Sequence, residues 1–305
     1  MKISVFEVGA RDGLQNEKLP IPTEKKLEFI HELEAAGLQD IEAGLFVRPD
    51  RVPQMADSDA VMKALLSGRK AGARAATGAK APRYWALVPN LRGLERANAV
   101  GAKHLAVFTA ATESFANRNI GMSIQDSLAE FRRVADAAPK GTVIRGYVST
   151  AFWCPFEGKV APKQALKVIE ALAKLGCKQI SVGDTIGAAT PNQMDPVFKP
   201  ALKLLGPSRV AAHLHDTRGT ALANALRSIE LGVRVFDSSA GGLGGCPFAP
   251  GAKGNLATED LVYMLDGMGI KTGVDLKKLA AASLKLGRWM NRPLTSRYLQ
   301  ATAGG

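Results

Sequence analysis

The sequence predicts a (β/α)8 TIM barrel of the α/β class, followed by one additional C-terminal helix. Strand and helix signals alternate eight times along the 305 residues, a pattern typical of parallel strands joined by helices. The predicted strands are short and apolar, as expected for parallel strands that helices cover. The turn after the first strand lacks the G-x-G-x-x-G spacing of a dinucleotide-binding fold. These observations favour a closed barrel over an open doubly wound sheet.

The eight strands are predicted from short apolar runs that glycine, proline or polar residues separate. The first begins close to the N-terminus, and the seventh ends in the motif His213-Leu-His215. The predicted strands cover residues 3–8, 40–43, 84–88, 104–109, 143–149, 179–182, 210–215 and 235–238.

Each predicted helix follows a strand, and several end at a glycine, which closes helices readily in the left-handed conformation. Gly176 and Gly232 follow two of these helices. Ser123 is expected to cap the fourth helix, with Asp126 three residues later in an arrangement close to a capping box. The predicted helices cover residues 22–36, 54–66, 91–100, 123–138, 162–175, 191–205, 220–231 and 258–267.

Two segments fall outside the eight units. Residues 67–82 are rich in glycine, alanine, lysine and arginine and predict a loop. Residues from about 275 to 305 predict a helical extension after the barrel closes. We therefore expect residues 1–305 to form a single catalytic domain.

Composition limits the environment and the partners of the chain. No apolar run approaches the roughly 20 residues that span a bilayer, and the N-terminus leads directly into a strand, so we expect no membrane segment and no leader. Three widely spaced cysteines suggest a reducing compartment, and we predict a cytoplasmic protein.

A net charge of +12 favours an anionic partner. The basic residues are scattered and aromatic residues make up only 6% of the chain, which argues against nucleic acid.

Two histidines at the end of the seventh strand suggest a metal site. His213 and His215 are two residues apart, so their side chains point to the same face of the strand, about 7 Å apart along it. The loops at the carboxyl ends of barrel strands meet on one rim, and the loop after the first strand carries Asp12. A carboxylate and two imidazoles suit Mg, Mn or a similar ion. Hydrogen-bonded structural histidines are the simpler alternative.

The loop after the eighth strand contains six glycines in residues 241–255, with Cys246 near its middle. Such a loop is able to close over a site. A cysteine near a metal and a basic residue has a lowered pKa and serves as an acid or base. The alternative is a loop cysteine without a function.

Several motifs resemble the hydroxymethylglutaryl-CoA lyase family, over residues 3 to about 295. The Gly-Gly-Cys-Pro loop is the most specific of them, because Claisen-type synthases of the same barrel superfamily carry Gly-Glu-Arg there. The resembling stretches are Phe6-Glu-Val-Gly-Ala-Arg-Asp-Gly-Leu-Gln-Asn-Glu-Lys18, Ser181-Val-Gly-Asp-Thr-Ile-Gly187, His213-Leu-His-Asp-Thr217, Gly242-Leu-Gly-Gly-Cys-Pro-Phe248 and Gly254-Asn-Leu-Ala-Thr-Glu-Asp-Leu-Val-Tyr-Met-Leu265.

The resemblance implies a metal-dependent retro-Claisen cleavage of 3-hydroxy-3-methylglutaryl-CoA to acetyl-CoA and acetoacetate. It implies a Mg or Mn ion held by four side chains, namely Asp12, His213, His215 and Asn255. Spacing alone does not suggest Asn255.

The resemblance also implies the catalytic residues. Arg11 would stabilise the enolate that forms on the thioester side, and Glu42 would orient Arg11. Asp184 and Cys246 are the candidates for proton transfer. The basic surface then has an acyl-CoA as its partner, through the phosphates of coenzyme A. Because dimers are common among such barrels, a homodimer is our expectation.

One stretch departs from the family pattern. The family usually reads Glu-Thr-x-Ser-Phe-Val-Ser-Pro-Lys after the second strand, and this chain reads Glu42-Ala-Gly-Leu-Phe-Val-Arg-Pro-Asp50. Ala43 and Leu45 make this rim less polar, while Arg48 and Asp50 replace a serine and a lysine. A related branched 3-hydroxyacyl-CoA is therefore an alternative substrate. A condensing synthase and a non-catalytic, basic, anion-binding barrel are further alternatives.

Overall fold

The computed structural model describes residues 1–67, 81–245 and 254–302. Eight parallel strands close into a barrel, in the order β1, β10, β9, β8, β5, β4, β3 and β2 around the ring. This arrangement confirms the predicted TIM barrel. The barrel strands are β1 (Ser4–Glu7), β2 (Asp40–Leu45), β3 (Arg83–Leu87), β4 (His104–Ala110), β5 (Val143–Ser149), β8 (Gln179–Asp184), β9 (Val210–Leu214) and β10 (Val235–Ser238).

Helices cover the outside of the barrel. The cap predicted at Ser123 is present, because its Oγ accepts a hydrogen bond of 3.0 Å from the backbone N–H of Asp126. Gly176 and Gly232 close their helices at φ values of 107° and 113°, which only glycine adopts without strain. The helices are α1 (Thr23–Ala35), α2 (Ser58–Leu66), α3 (Leu91–Ala99), α4 (Glu113–Ile120), α5 (Ile124–Ala137), α6 (Pro162–Leu175), α7 (Pro191–Leu205), α8 (Ala221–Leu231), α9 (Thr258–Gly267), α10 (Leu276–Trp289) and α11 (Arg297–Thr302).

Several features differ from the sequence-based prediction. Two helices, α10 and α11, follow the barrel where one was expected. Helix α2 begins at Ser58 instead of residue 54, because a short 3-10 turn (Pro53–Met55) precedes it. Helix α4 was not predicted. A small antiparallel hairpin, β6 (Trp153–Cys154) and β7 (Gly158–Lys159), also follows β5. Two residues per strand are too few to produce an alternation pattern.

The apolar residues form three clusters. The largest fills the layer between the barrel and the helices. A second cluster, which includes Phe6, Trp85 and Ala211, lies inside the barrel towards the amino ends of the strands. A third, smaller cluster around Leu45 and Leu87 lies at the carboxyl ends. Within the described ranges, no helix combines the length and the hydropathy needed to cross a bilayer.

The pairing of β2 with β3 shifts by one residue. Glu42 pairs with Trp85, but Gly44 pairs with Ala86, so Ala43 has no partner of its own in the register. Gly44 faces α2, and a Cβ added there would lie 2.7 Å from Cγ of Met62. The shift brings Glu42 and Leu45 to the same face of the strand, although they are three residues apart.

Candidate active site

Three predicted metal ligands come together at the carboxyl ends of the barrel strands. Asp12 lies in the turn Gly9–Gly13 directly after β1, and His213 and His215 lie at the end of β9. One ligand atom from each of the three lies within 4.8 Å of the others. The two Nε2 atoms of the histidines are 3.1 Å apart. Two nitrogens and a carboxylate oxygen thus converge on one point.

Asn255 is joined to this group of residues by its backbone and by its side chain. Its backbone pairs with that of His215 in an isolated bridge, where the loop after β10 returns to the barrel. Its amide nitrogen donates to Asp12 Oδ2 over 2.8 Å and to the carbonyl of Leu243 over 3.1 Å. Its Oδ1 is buried and has no hydrogen-bond partner in the part of the chain that the structure describes. An unsatisfied buried acceptor costs about 1–3 kcal/mol, so a cation beside it would stabilise the site.

The protonation states of these side chains fit a divalent cation. Burial, together with the neighbouring His213, lowers the pKa of His215 to about 3, so its ring is neutral at pH 7. Burial acts to raise the pKa of Asp12, but Arg11 and the histidines outweigh it and hold the pKa below its ordinary value. A neutral imidazole and an ionised carboxylate are the ligand forms that metals require. Oxygen and imidazole donors suit Mg, Mn and similar ions.

Asp237 is a site residue that none of the sequence motifs indicated, and it contacts the Nδ1 atom of His213. It lies on β10, buried, and its Oδ2 contacts Nδ1 of His213 over 3.2 Å. Ser181 donates to the same oxygen over 2.6 Å, and Arg145 donates to it over 3.1 Å. Burial opposes ionisation, but Arg145 and His213 lower the pKa of Asp237 to about 2. A carboxylate on Nδ1 leaves Nε2 directed at the metal position.

Arg11 is fixed between two carboxylates beside the metal ligands. Its Nε donates to Glu42 Oε2 over 2.6 Å, and its Nη1 donates to Asp12 Oδ1 over 2.7 Å. Tyr147 donates its hydroxyl to the other oxygen of Glu42 over 3.2 Å. Burial would lower the pKa of Arg11, but Glu42 and Asp12 raise it above its ordinary value, so the guanidinium stays charged. The structure thus brings Arg11 and Glu42 into the contact that the resemblance implied.

The structure does not bring Asp184 to the same place. Its carboxylate accepts hydrogen bonds of 3.1 Å from the backbone N–H groups of Ala188 and Ala189. The neighbours Gly183 and Thr185 line the cavity, but Asp184 is not among the described residues that do. The reason is strand alternation, because Ser181 and Gly183 face the barrel interior. Burial raises the pKa of Asp184 to about 6, against the effect of these two hydrogen bonds.

Cys246 and most of the predicted loop at 67–82 lie outside the described residues. The residue before Cys246, Gly245, lines the cavity, and its carbonyl accepts a hydrogen bond of 3.3 Å from the side chain of Asn16.

A cavity of about 1100 Å³ opens above these residues. Arg11, Asp12, Tyr147 and the two histidines lie on its lining. Exposed arginines stand around its outer part, namely Arg48, Arg51, Arg92 and Arg118. This volume suits a large ligand. Arg48 is paired with Asp50, and the other arginines give the entrance a positive charge.

Comparison with known proteins places the chain in a family. The HMGL-like family model matches residues 2–285. The cytoplasmic 3-hydroxy-3-methylglutaryl-CoA lyase of Rattus norvegicus is 46% identical over 301 residues, which are 98% of this chain and 84% of the relative. The mitochondrial hydroxymethylglutaryl-CoA lyase of the same organism is 47% identical over 304 residues, which cover 99% of this chain and 90% of the relative.

Solved structures show the same relationship. The hydroxymethylglutaryl-CoA lyase of Pseudomonas aeruginosa superposes with a TM-score of 0.91 at 44% identity, over 99% of this chain and 98% of that one. An HMG-CoA lyase of Acinetobacter baumannii, in complex with coenzyme A and 3-methylmalate, has a TM-score of 0.91 at 37% identity, covering 98% of this chain and 95% of that one. The fold, the matched length and these identities together show that the chain belongs to the HMGL-like family.

Proposed function

We propose that this chain is a metal-dependent carbon–carbon lyase that cleaves 3-hydroxy-3-methylglutaryl-CoA to acetyl-CoA and acetoacetate. One observation carries the proposal beyond family membership. Asn255, whose buried Oδ1 is unsatisfied, donates a hydrogen bond to Asp12. Asp12 lies with His213 and His215 and is paired with the charged side chain of Arg11. This set is able to hold a cation and an oxyanion side by side, as a retro-Claisen cleavage requires.

The proposed ligands of the metal are Asp12, His213, His215 and the amide oxygen of Asn255, and the proposed ion is Mg or Mn. When bound, a divalent ion polarises the hydroxyl and carboxylate oxygens of the substrate and makes the hydroxyl easier to deprotonate. Asp237 orients His213 towards this position. Asn255 fixes Asp12 through its amide nitrogen.

The proposed catalytic residues act on the other side of the breaking bond. Arg11 stabilises the enolate of the departing acetyl thioester, because its charge is buried and Glu42 holds it in place before the reaction begins. We propose Cys246 as the group that returns a proton to the acetyl carbon. For Asp184 we propose a positioning role, because its carboxylate holds the backbone of the loop after β8.

An acyl-CoA substrate is supported by the chain's family and by the charge of the cavity. The coenzyme A in the Acinetobacter baumannii complex is a ligand of that relative, and we propose the same ligand here. Exposed arginines at the entrance, among them Arg51 and Arg92, are suited to its phosphates.

A cytoplasmic location and a homodimer are also proposals, and light scattering after size-exclusion chromatography tests the dimer.

The test begins with metal-stripped protein and 3-hydroxy-3-methylglutaryl-CoA. We expect equal amounts of acetyl-CoA and acetoacetate after addition of Mg²⁺ or Mn²⁺, and almost none before it. The double variant His213→Ala, His215→Ala should bind no Mn²⁺ and yield no product. His31→Ala, which removes an exposed histidine on α1, is the matched control and should behave like the parent protein. Protein that binds Mn²⁺ but does not cleave this thioester would contradict the proposed reaction.

A further inference from the structure

The mouth of the barrel has two chemically different sides. Polar side chains from β1, β5, β8 and β9 surround the metal ligands on one side. The other side is formed by five apolar residues from β2, β3, β4 and the segment after β2. We call this surface the apolar wall, and its members are Leu45, Val47, Val52, Leu87 and Phe108.

The register of the barrel places the apolar wall beside the reacting centre. Phe108 pairs with Tyr147, and Tyr147 donates a hydrogen bond to Glu42. Leu45 pairs with Leu87, and the register shift in β2 puts Leu45 on the same inner face as Glu42. All five members of the wall line the same cavity as Arg11 and His213. Leu45 and Phe108 therefore lie beside the residues of the proposed cleavage chemistry, while Val47 and Val52 extend the wall towards the exposed Arg48 and Arg51.

The apolar wall is not part of the core that holds the fold together. Its residues pack with one another and with Met55 as a cluster separate from the main one. Val47, Val52 and Phe108 are only half-buried, so they present apolar surface to the cavity. Apolar surface that faces water is unfavourable, and a ligand group that covers it gains about 25 cal/mol per Å².

The proposed substrate has one group that matches this wall. Its C3 carbon carries a hydroxyl, a carboxymethyl group, the thioester arm and a methyl group. In the proposed function the hydroxyl and the carboxylate face the metal ligands, and the thioester carbonyl faces Arg11. The alkyl substituent is the remaining group, and it is the only apolar one.

We propose that this chain also cleaves 3-hydroxyglutaryl-CoA thioesters whose C3 substituent is an alkyl group longer than methyl, with that group held against the apolar wall. This inference rests on the proposed function. The bonds that break and form are the same for every C3 substituent. The C3 hydroxyl passes its proton to a base and becomes a ketone, the C2–C3 bond breaks, and the electron pair of that bond passes to the acetyl thioester as an enolate. A proton then returns to that carbon, giving acetyl-CoA and a 3-oxo acid that retains the alkyl group.

The pantetheine arm of coenzyme A is the competing occupant of the wall. The pantetheine arm is identical in every coenzyme A thioester. If it occupied the wall, changes to the wall would therefore affect the binding of all these substrates equally. A wall that binds the C3 substituent instead discriminates between substrates by chain length. Each additional methylene that the substrate buries against the wall should raise kcat/KM by about fourfold.

The experiment compares three thioesters that share coenzyme A: the 3-methyl, 3-ethyl and 3-propyl forms of 3-hydroxyglutaryl-CoA. With the metal-loaded parent protein we expect kcat/KM to rise with chain length, by up to about fourfold for each methylene. A 3-propyl form cleaved more than about tenfold more slowly than the 3-methyl form would overturn the inference and leave the proposed function intact. Failure to cleave any of the three would instead remove the proposed function.

The variants Val47→Thr and Val52→Thr, singly and together, make the wall polar with little change of shape. We expect each to lower kcat/KM for the propyl substrate about fourfold more than kcat/KM for the methyl substrate. Val100→Thr, on a half-buried valine outside the cavity, is the matched control. If the variants raise KM for all three substrates in parallel, the wall serves the pantetheine arm and the inference is wrong. If a variant does not fold, the chain-length series of the parent protein still decides the outcome.

Discussion

The side-chain amide of Asn255 donates a hydrogen bond of 2.8 Å to Asp12, although the two residues are 243 positions apart. The contact ties the loop after the last strand to the turn after the first strand. The Oδ1 of the same amide and the Nδ1 of His215 are buried and have no hydrogen-bond partner among the described residues. One side chain thus both orients a proposed ligand and acts as another.

Asn255→Ala should weaken metal binding because it removes a proposed ligand oxygen and the hydrogen bond that holds Asp12. We expect the dissociation constant for Mn²⁺ to rise by about 10- to 100-fold. Isothermal titration of the metal-stripped protein with Mn²⁺ measures this without reference to activity. Asn192→Ala, on the exposed face of α7, is the matched control. Unchanged Mn²⁺ affinity in Asn255→Ala would remove Asn255 from the ligand set.

Arg11→Lys should lower kcat while leaving the metal in place. A lysine keeps the charge but lacks the planar group that bonds Glu42 and Asp12 together. We expect kcat for the methyl substrate to fall by about 10²- to 10³-fold, with KM changed much less. Steady-state kinetics and Mn²⁺ titration of the same preparation separate the two effects. A rise in KM at constant kcat would show that Arg11 serves binding and not enolate stabilisation.

The arginines at the entrance should act through charge. Arg51→Ala and Arg92→Ala are expected to raise KM severalfold at low salt and to leave kcat unchanged. The difference from the parent protein should shrink as ionic strength rises, because exposed charges are screened over about 10 Å at 0.1 M salt. Lys167→Ala, on the outer helix α6, provides a basic residue remote from the cavity. A loss of kcat, or an effect that salt does not change, would contradict phosphate binding at these positions.

The sequence predicts those parts of the site that follow from strand ends. Asp12, His213 and His215 each sit where a barrel strand ends, and such ends always meet on one rim. Asn255 does not follow from spacing, because its position depends on how the loop at 241–255 returns to pair with His215. Asp237 could have been found, since it is a carboxylate near the end of β10, on the strand that pairs with β9.

The direction of side chains is less predictable than the position of strands. Asp184 was a candidate for proton transfer, but one-residue alternation along β8 turns it towards the backbone of the following loop. In β2 the register shift at Ala43 turns Leu45 into the barrel, which simple alternation from Glu42 does not give. Both outcomes depend on pairing with neighbouring strands. The sequence of one strand does not show how the strand pairs with its neighbours, and so it does not fix the direction of these side chains.

Two buried carboxyl groups beneath the loop after β10 should make the stability of the fold depend on pH. Glu259 accepts hydrogen bonds from the backbone N–H of Gly241, and Glu7 accepts one from that of Ala240. Burial raises the pKa of Glu259 to about 8 and that of Glu7 to about 7, from an ordinary value of 4.5. Above pH 4.5 an unfolded chain releases both protons while the folded chain retains them. The contribution of these two groups to the free energy of unfolding should therefore be fully present below pH 4.5 and be lost as pH rises towards about 8.

Glu259→Gln tests this dependence because glutamine keeps the neutral state at every pH. We expect the loss of unfolding free energy between about pH 6 and about pH 8.5 to be clearly smaller in this variant than in the parent protein. Urea titrations at both pH values, with the same ionic strength, measure the difference. Glu170→Gln, at an exposed position on α6, should keep the dependence of the parent protein. If Glu259→Gln keeps it as well, Glu259 is ionised in the folded protein, and the loop is held by a charged carboxylate instead of a neutral one.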